Sequence, residues 1–264
     1  MLANAPAAAA HDLEADADLA ERLARTAGEL LTVLQRSGHF EGKALGAAGD
    51  AVSHAFLVRA LAEARPGDGL LSEEGAADPA RLTNSRTWIV DPLDGTREYS
   101  EGRTDWAVHV ALAIDGEAVV GAVGLPGLDA VLCTRAPLPA CEAAARPRML
   151  VSRTRPGADS VAVAEAIGAD LVAMGSAGAK AMAVVRGEAE IYLHSGGQYE
   201  WDSCAPVAVA RACGLHVSRA DGSPLRYNCE NPWLPDLLIC RPEWAQPVLA
   251  ARAALDHTQG SARS

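Results

Sequence analysis

Aromatic side chains are scarce, at 4% of 264 residues with only two phenylalanines, although 49% of the chain is hydrophobic. A sizeable core must therefore be filled largely by small and aliphatic side chains. Alanine and glycine at that density predict close approach of helices and sheets rather than packing around large rings. Basic residues are also in deficit: 23 Lys and Arg stand against 34 Asp and Glu, a formal charge of −11. That balance argues against nucleic acid or an anionic membrane as the main partner. It leaves room for a small anionic substrate, because a bound metal reverses the local sign. No apolar run approaches the roughly 18 residues that a membrane span requires. The six cysteines, Cys133, Cys141, Cys204, Cys213, Cys229 and Cys240, include no C-x-x-C pair and no zinc-type spacing with histidine. Most of them read as small core residues in a reducing cytosol, so a cytoplasmic location is expected. The opening stretch MLANAPAAAAHDLEADADL has no basic region and turns acidic at once, so residues 1–12 read as a loose tail and not a signal peptide.

What is present is a set of well-marked periodicities. Leu19, Leu23, Ala27, Leu30, Leu31 and Leu34 recur at helical spacing and predict a helix over 13–36, stopped at Ser37-Gly38. A second helix is expected over 52–64, and short strands at GLL (69–71) and TWIV (87–90). In WAVHVALAI, Trp106, Val108, Val110, Leu112 and Ile114 point one way, and Ala107, His109, Ala111 and Ala113 the other. Asp115-Gly116 is a two-residue hairpin turn, after which EAVVGAVGL returns. The small-residue face calls for a layer packed closely upon it, and His109 there reads as a hydrogen-bonded core histidine. Beyond 147 the pattern predicts strands at RMLVS, AEIYL, LHVS and DLLIC, and helices at 158–167, 178–187, 203–213 and 242–254. Helices alternating with strands and an antiparallel hairpin indicate a layered α/β (α+β) protein with mixed sheets. A Pro/Ala-rich linker at 135–147 separates an N-terminal half (13–134) from a C-terminal half (147–255), and 256–264 reads as a second loose tail.

One stretch asks for chemistry. In TWIVDPLDGTREYS an apolar strand ends on Asp91, and a second acid, Asp94, follows in a turn three residues on. Gly95 and Thr96 then offer backbone N–H groups at a developing helix start, a setting that attracts phosphate. Two acids beside an anion cradle make sense with a divalent cation between them. Asp-Pro-x-Asp-Gly is also ordinary turn chemistry. The spacing fits neither a calcium loop of the EF-hand kind nor a phosphatase loop with an aspartyl nucleophile, whose acids lie two apart. Glu73 and Glu74 follow the strand upstream and alone would be a solvated loop. Asp202 in YEWDSCAP and Asp50 in AGDAVSH would each serve alone as a helix N-cap. Together, all these acids lie where one element meets the next, the usual place for sites in α/β folds.

WIVDPLDGT, with WDSCAP about a hundred residues later, SEE upstream and DAVS before it, resembles the inositol monophosphatase superfamily over roughly residues 15–245. The resemblance implies an αβαβα sandwich of the sugar-phosphatase type and a magnesium-dependent phosphomonoesterase using two or three Mg2+ ions. It implies Glu73, Asp91, Asp94, Asp202 and the Leu93 carbonyl as metal ligands. Glu73 and Thr96 would orient the attacking water, with Asp50 bonded to the Thr96 hydroxyl. Leu93, Asp94, Gly95, Thr96 and Asp202 would line the phosphate and leaving group. The chain departs from the pattern after Asp50, where Ser53 and Phe56 stand in place of a threonine and a second acid. A homodimer, lithium sensitivity and a small phosphate ester as the sole partner belong to the same expectation.

Within the superfamily, His194 stands near where inositol phosphatases carry a glutamate, and Lys180 where they tend to be neutral. Both features resemble bacterial 3′(2′),5′-bisphosphate nucleotidases, whose actinobacterial members suit the alanine-rich composition; these remove a 3′-phosphate in sulfate assimilation. Ser176, Lys180 and His194 are then substrate-side residues; otherwise Lys180 is a surface lysine and His194 a loop residue. Arg103 is a surface charge or a phosphate contact, and Trp201 packs to position Asp202. The alternatives are inositol 1-phosphate or fructose 1,6-bisphosphate hydrolysis, and, in another class, a regulatory binding protein of the same fold.

Overall fold

The computed structural model describes residues 12–76, 78–139 and 146–261, with side chains through 255. In chain order the elements are α1 (Leu13–Arg36), α2 (Gly42–Ala64), β1 (Gly69–Ser72), β2 (Arg86–Asp94), α3 (Thr96–Ser100), β3 (Ala107–Ile114), β4 (Glu117–Leu125), β5 (Ala130–Cys133), β6 (Arg148–Ser152), α4 (Ala158–Ile167), β7 (Asp170–Met174), α5 (Ala177–Val185), β8 (Ile191–His194), β9 (Gln198–Tyr199), α6 (Glu200–Ala212), β10 (His216–Ser218), β11 (Trp233–Leu234), β12 (Leu237–Cys240) and α7 (Pro242–Ser261). The first sheet runs β1-β2-β3-β4-β5, parallel between β1 and β2 and antiparallel elsewhere. The second runs β10-β12-β8-β6-β7, parallel where β6 meets β7 and β8 and antiparallel elsewhere. The strands β9 and β11 form a small ribbon.

The layers follow from the faces. Trp106, Val108, Val110 and Leu112 bury against Leu23, Ala27 and Leu31 of α1 and Leu57 of α2. The alanine face of β3 and the inner face of the second sheet share one core with α5 and α6 between them. Val163 of α4 and Val248 of α7 cover the far side of the second sheet with Met149, Ile191 and Leu238. The stack is helix, sheet, helix, sheet, helix, as expected. The hairpin turn is also as read: Asp115 and Gly116 have φ of 50° and 80°, the positive pair that a two-residue turn demands.

Three expectations change. The second helix starts at Gly42, not near 52, so Asp50 lies inside α2 and is not an N-cap. Glycines 46 and 49 look like helix breakers in sequence, since glycine costs about 1 kcal/mol against alanine in a helix interior. In the fold they let α2 approach α3: a Cβ on Gly46 would lie 2.6 Å from Ser100 Oγ, and one on Gly49 2.8 Å from Tyr99 Cε1. The edge strands β5 and β7 were not expected; β7 pairs only with β6 and leaves Leu171 45% exposed, so it lacks the buried alternation that marks a strand. The last helix continues to Ser261, past the expected stop at 254. Residues 1–11 of the expected N-terminal tail, the linker's centre (140–145) and residues 262–264 lie outside the described residues, while Asp12 is described and caps α1. No helix among the described residues is long and apolar enough to cross a membrane. Of the cysteines described, Cys133, Cys204 and Cys240 are buried, whereas Cys213 is half-buried and Cys229 exposed.

Candidate active site

The DPLD stretch does not follow a strand; it is the last part of one. Asp91 pairs with His109 and Asp94 with Ala107, so one extra residue on β2 forms a bulge between them. Pro92 has no N–H to give the ladder, which favours the break there. In a regular strand, residues three apart point to opposite faces. The bulge cancels that alternation and turns both carboxylates to one side. Ser53, fully buried on α2, clamps the bulge by donating its hydroxyl to Pro92 O at 2.7 Å. Leu93 N donates to Asp91 Oδ1 at 3.0 Å.

Asp202 joins them from α6. It lies at the third position of that helix rather than before it, and its Oδ2 accepts from Tyr199 N at 2.7 Å, so it still caps the helix. Carboxylate oxygens of Asp91, Asp94 and Asp202 all lie within 4.8 Å of one another. Glu73 leaves β1 where its N–H reaches Val90 O at 3.4 Å, and its carboxyl meets that of Asp91. Crowding has the expected electrostatic effect. Desolvation and then the charge of Asp202 push the Glu73 carboxyl up to about 7, although its surface is exposed at the mouth of the site. Desolvation and then Asp94 push Asp202 up to about 6. Buried Asp91 is driven well above the carboxylate range by desolvation, with Glu73, Asp94 and Asp202 adding to it.

Asp94 is the exception. Burial acts to raise its carboxyl, but His109, Ser176 and the Gly178 N–H outweigh it and hold the group far below the usual range. Oδ1 accepts from Ala177 N at 3.0 Å, and Oδ2 from Gly178 N at 2.6 Å and from Ser176 Oγ. The carboxylate thus caps the start of α5, where orphan N–H groups favour a negative charge. His109 Nε2 lies 3.2 Å from Oδ2, an ion-pair distance. On its other side, Nδ1 donates to Trp201 O at 2.9 Å. The expected core histidine therefore links β2 to the residue before Asp202.

The neighbouring residues divide. Thr96 Oγ1 lies 3.4 Å from Asp50 Oδ1 and 3.2 Å from Leu93 O. Desolvation, with Glu74 nearby, pushes Asp50 up to about 6. Gly95 takes a left-handed conformation (φ 92°) that turns the chain from β2 into α3. Lys180 is buried, not on the surface: its ammonium donates to Ser176 O and sits 5.3 Å from the Tyr192 ring centre. It holds the Ser176 turn, whose φ of 51° is unusual for a residue with a Cβ. His194, half-buried at the end of β8, bonds Gly197 O through Nε2 at 2.8 Å. Arg103 is engaged by Asp105 at 2.6 Å.

A set of carboxylate oxygens alone suits a hard divalent cation, and Asp91, buried among acids, needs one to remain ionised. The residues fit such an ion. The sequence model of the inositol monophosphatase family matches residues 12–258. The chain belongs to that family. It is similar to the 3′-phosphoadenosine 5′-phosphate phosphatase of Mycobacterium leprae, 47% identical over 249 residues, covering 89% of this chain and 92% of that protein. The protein of the same name from Mycobacterium bovis is 48% identical over 234 residues, covering 85% and 88%. Among solved structures, CysQ from Bacteroides thetaiotaomicron superposes with a TM-score of 0.78 at 24% identity, covering 87% of this chain and 98% of that one, a likeness of fold.

For this member of the inositol monophosphatase family, three contributors escape a reading of the sequence. His109 carries one local signal, an ionisable residue on an otherwise alanine-lined strand face. Ser53 is marked only as a departure from the family pattern. The Ala177 and Gly178 N–H groups leave no signal, since any residue but proline supplies one.

Proposed function

We propose that this chain is a magnesium-dependent phosphomonoesterase that removes the 3′-phosphate of 3′-phosphoadenosine 5′-phosphate. What carries the reading is the gathering of Asp91, Asp94 and Asp202 within 4.8 Å, from two remote segments, in a chain 47% identical to a phosphatase named for that nucleotide. Glu73, Asp91, Asp94, Asp202 and the Leu93 carbonyl would hold two or three Mg2+ ions. When bound, such ions lower the pKa of water and neutralise charge on a phosphoryl group.

The remaining chemistry belongs to the side chains. The Gly95 and Thr96 N–H groups face the phosphoryl oxygens. The Thr96 hydroxyl has one proton and two acceptors in reach, Leu93 O and Asp50. In this reading that proton goes to Asp50, and a Thr96 lone pair would accept from the attacking water, while the Leu93 carbonyl would be among the groups that hold the ion. Glu73 would orient the same water. Asp202 stands by the leaving oxygen. Ser176 and His194 line the substrate side, and Lys180 acts on the second phosphate through its field, since its ammonium is held by carbonyl oxygens. A cytoplasmic homodimer serving sulfate assimilation completes the reading.

The test compares kcat/KM for 3′-phosphoadenosine 5′-phosphate, inositol 1-phosphate and fructose 1,6-bisphosphate with magnesium present. The nucleotide is expected to lead. A preference for inositol 1-phosphate above about tenfold overturns the substrate assignment. Activity lost in EDTA and not restored by magnesium overturns the metal assignment.

A further inference from the structure

Where the aromatic residues lie is informative because there are so few. Trp88, Trp106, Tyr99, Tyr192 and Tyr227 are buried to 3% exposure or less. Tyr199 and Trp233 are 42% and 45% exposed, and they stand side by side. Their ring centres are 5.3 Å apart at 79°, while Tyr199 lies flat on Trp201 at 4.7 Å and 10°. Two open rings meeting nearly at a right angle make a corner with a floor and a wall.

The corner is rigid. Tyr199 of β9 and Trp233 of β11 are paired across the ribbon. The Trp233 indole is seated over Gly197, where a Cβ would fall 1.9 Å from its ring, and Gly197 N is bonded to Pro235 O at 3.0 Å. The corner is also registered to the acids, because the Tyr199 N–H is the group that donates to Asp202 Oδ2 at 2.7 Å.

Resting on the nucleotidase reading above, we infer that Tyr199 and Trp233 form the binding surface for the purine ring of the substrate, beyond Asp202 on the leaving-group side. A ribose bearing its 3′-oxygen near Asp202 carries a flat, π-rich base one sugar away, and the corner offers flat rings to receive it. A polyol such as inositol presents hydroxyls on every side and needs polar partners that two rings do not supply. Exposed rings fixed in place lose little freedom on binding. Base stacking on such rings is sequence-tolerant and strong enough to change affinity by on the order of tenfold.

The test uses Trp233→Ala and Tyr199→Leu, with Trp233→Phe and Tyr199→Phe as ring-keeping controls, in the intact magnesium-loaded protein. The Tyr199 contact to Asp202 is through the backbone, so its side-chain change leaves that cap in place. The expected result is a KM for 3′-phosphoadenosine 5′-phosphate raised about tenfold in the ring-less variants, recovered by the phenylalanines, with inhibition by inorganic phosphate unmoved. Calorimetric binding of adenosine 5′-monophosphate should weaken in parallel. An unchanged KM in an enzyme that does hydrolyse the nucleotide overturns the inference. So does equal weakening toward inorganic phosphate, which marks general damage, or a loss of mass in gel filtration, which makes the corner a contact between copies of the chain. If the unaltered enzyme does not hydrolyse the nucleotide, the nucleotidase reading has failed, and adenosine 5′-monophosphate binding alone decides: ring-dependent binding upholds the corner and its absence sinks it.

Discussion

Nε2 of His109 lies 3.2 Å from Oδ2 of Asp94, with His109 wholly buried. The other nitrogen donates to the carbonyl of Trp201, which can only accept, so Nδ1 must carry a proton. The imidazole thus ties the bulged end of β2 to the start of α6. Removing His109 takes one charged partner from a buried carboxylate that keeps its bonds from Ser176, Ala177 N and Gly178 N, which costs about 1–3 kcal/mol. His109→Phe is expected to lose that much in urea unfolding and to need more magnesium for half-maximal activity. His109→Gln, which keeps a donor, should recover part of both. A His109→Phe variant as stable as the unaltered chain, with the same magnesium requirement, would remove the positioning role.

Asp94 has two tasks, and one substitution separates them. Asp94→Asn keeps the size and one acceptor oxygen, which serves the Gly178 N–H while the amide NH2 faces the Ala177 N–H and forfeits that one bond. It removes the charge from the acidic set. Hydrolysis should fall by about 100-fold or more, on the scale seen when one preorganised electrostatic group is lost. Circular dichroism should be unchanged. A variant that keeps its activity would show that the charge plays no part in the chemistry.

Acidity and magnesium should oppose each other in the metal-free protein. Asp50, Glu73 and Asp202 are raised to about 6, 7 and 6 from ordinary values of 3.8, 4.5 and 3.8. Each folded pKa exceeds its unfolded one, so folding favours the protonated form. The stability this supplies is complete below about pH 4 and is lost as the pH rises through about 7. Cations relieve the repulsion only where the acids are ionised. The rise in melting temperature on adding magnesium should therefore be larger near pH 7.5 than near pH 5, measured by differential scanning fluorimetry. Equal shifts at both would contradict the crowding of these carboxyls.

A structural pair far from the acids gives a control. Arg86 bonds Asp16 of α1 at 2.9 Å and Asp68 at 2.9 Å, and Asp68 also accepts from Trp88 Nε1. Asp16 is 2% exposed. Arg86→Leu leaves that carboxylate with Arg65 as its remaining ion-pair partner and is expected to cost about 3 kcal/mol of stability. KM at 25 °C should not move in molecules that remain folded. A changed KM would mean that the end of α1 reaches the site.

Part of this architecture could be read along the chain. The two faces of β3 are visible as a period of two, and the turn at Asp115-Gly116 as a dipeptide, because strand faces and hairpin turns are set by neighbours a few residues apart. The acids and their order are equally plain, as is the absence of a long apolar run. Edge strands such as β7 are less visible, since one paired side and an exposed face leave no strong pattern. The start of α2 was hidden because its glycines oppose a helix locally and favour it only once α3 packs against them.

The identity of the residues alone settled which chemistry was within reach: carboxylates in number, a strand that ends on two of them, and small side chains that permit close layers. Only the folded chain decided how they act. The bulge that turns Asp91 and Asp94 to one side, the histidine beneath Asp94, the burial of Lys180 and the aromatic corner beyond Asp202 all depend on segments remote in sequence. Such contacts arise from packing between layers, and no periodicity within one element encodes what the facing layer will bring.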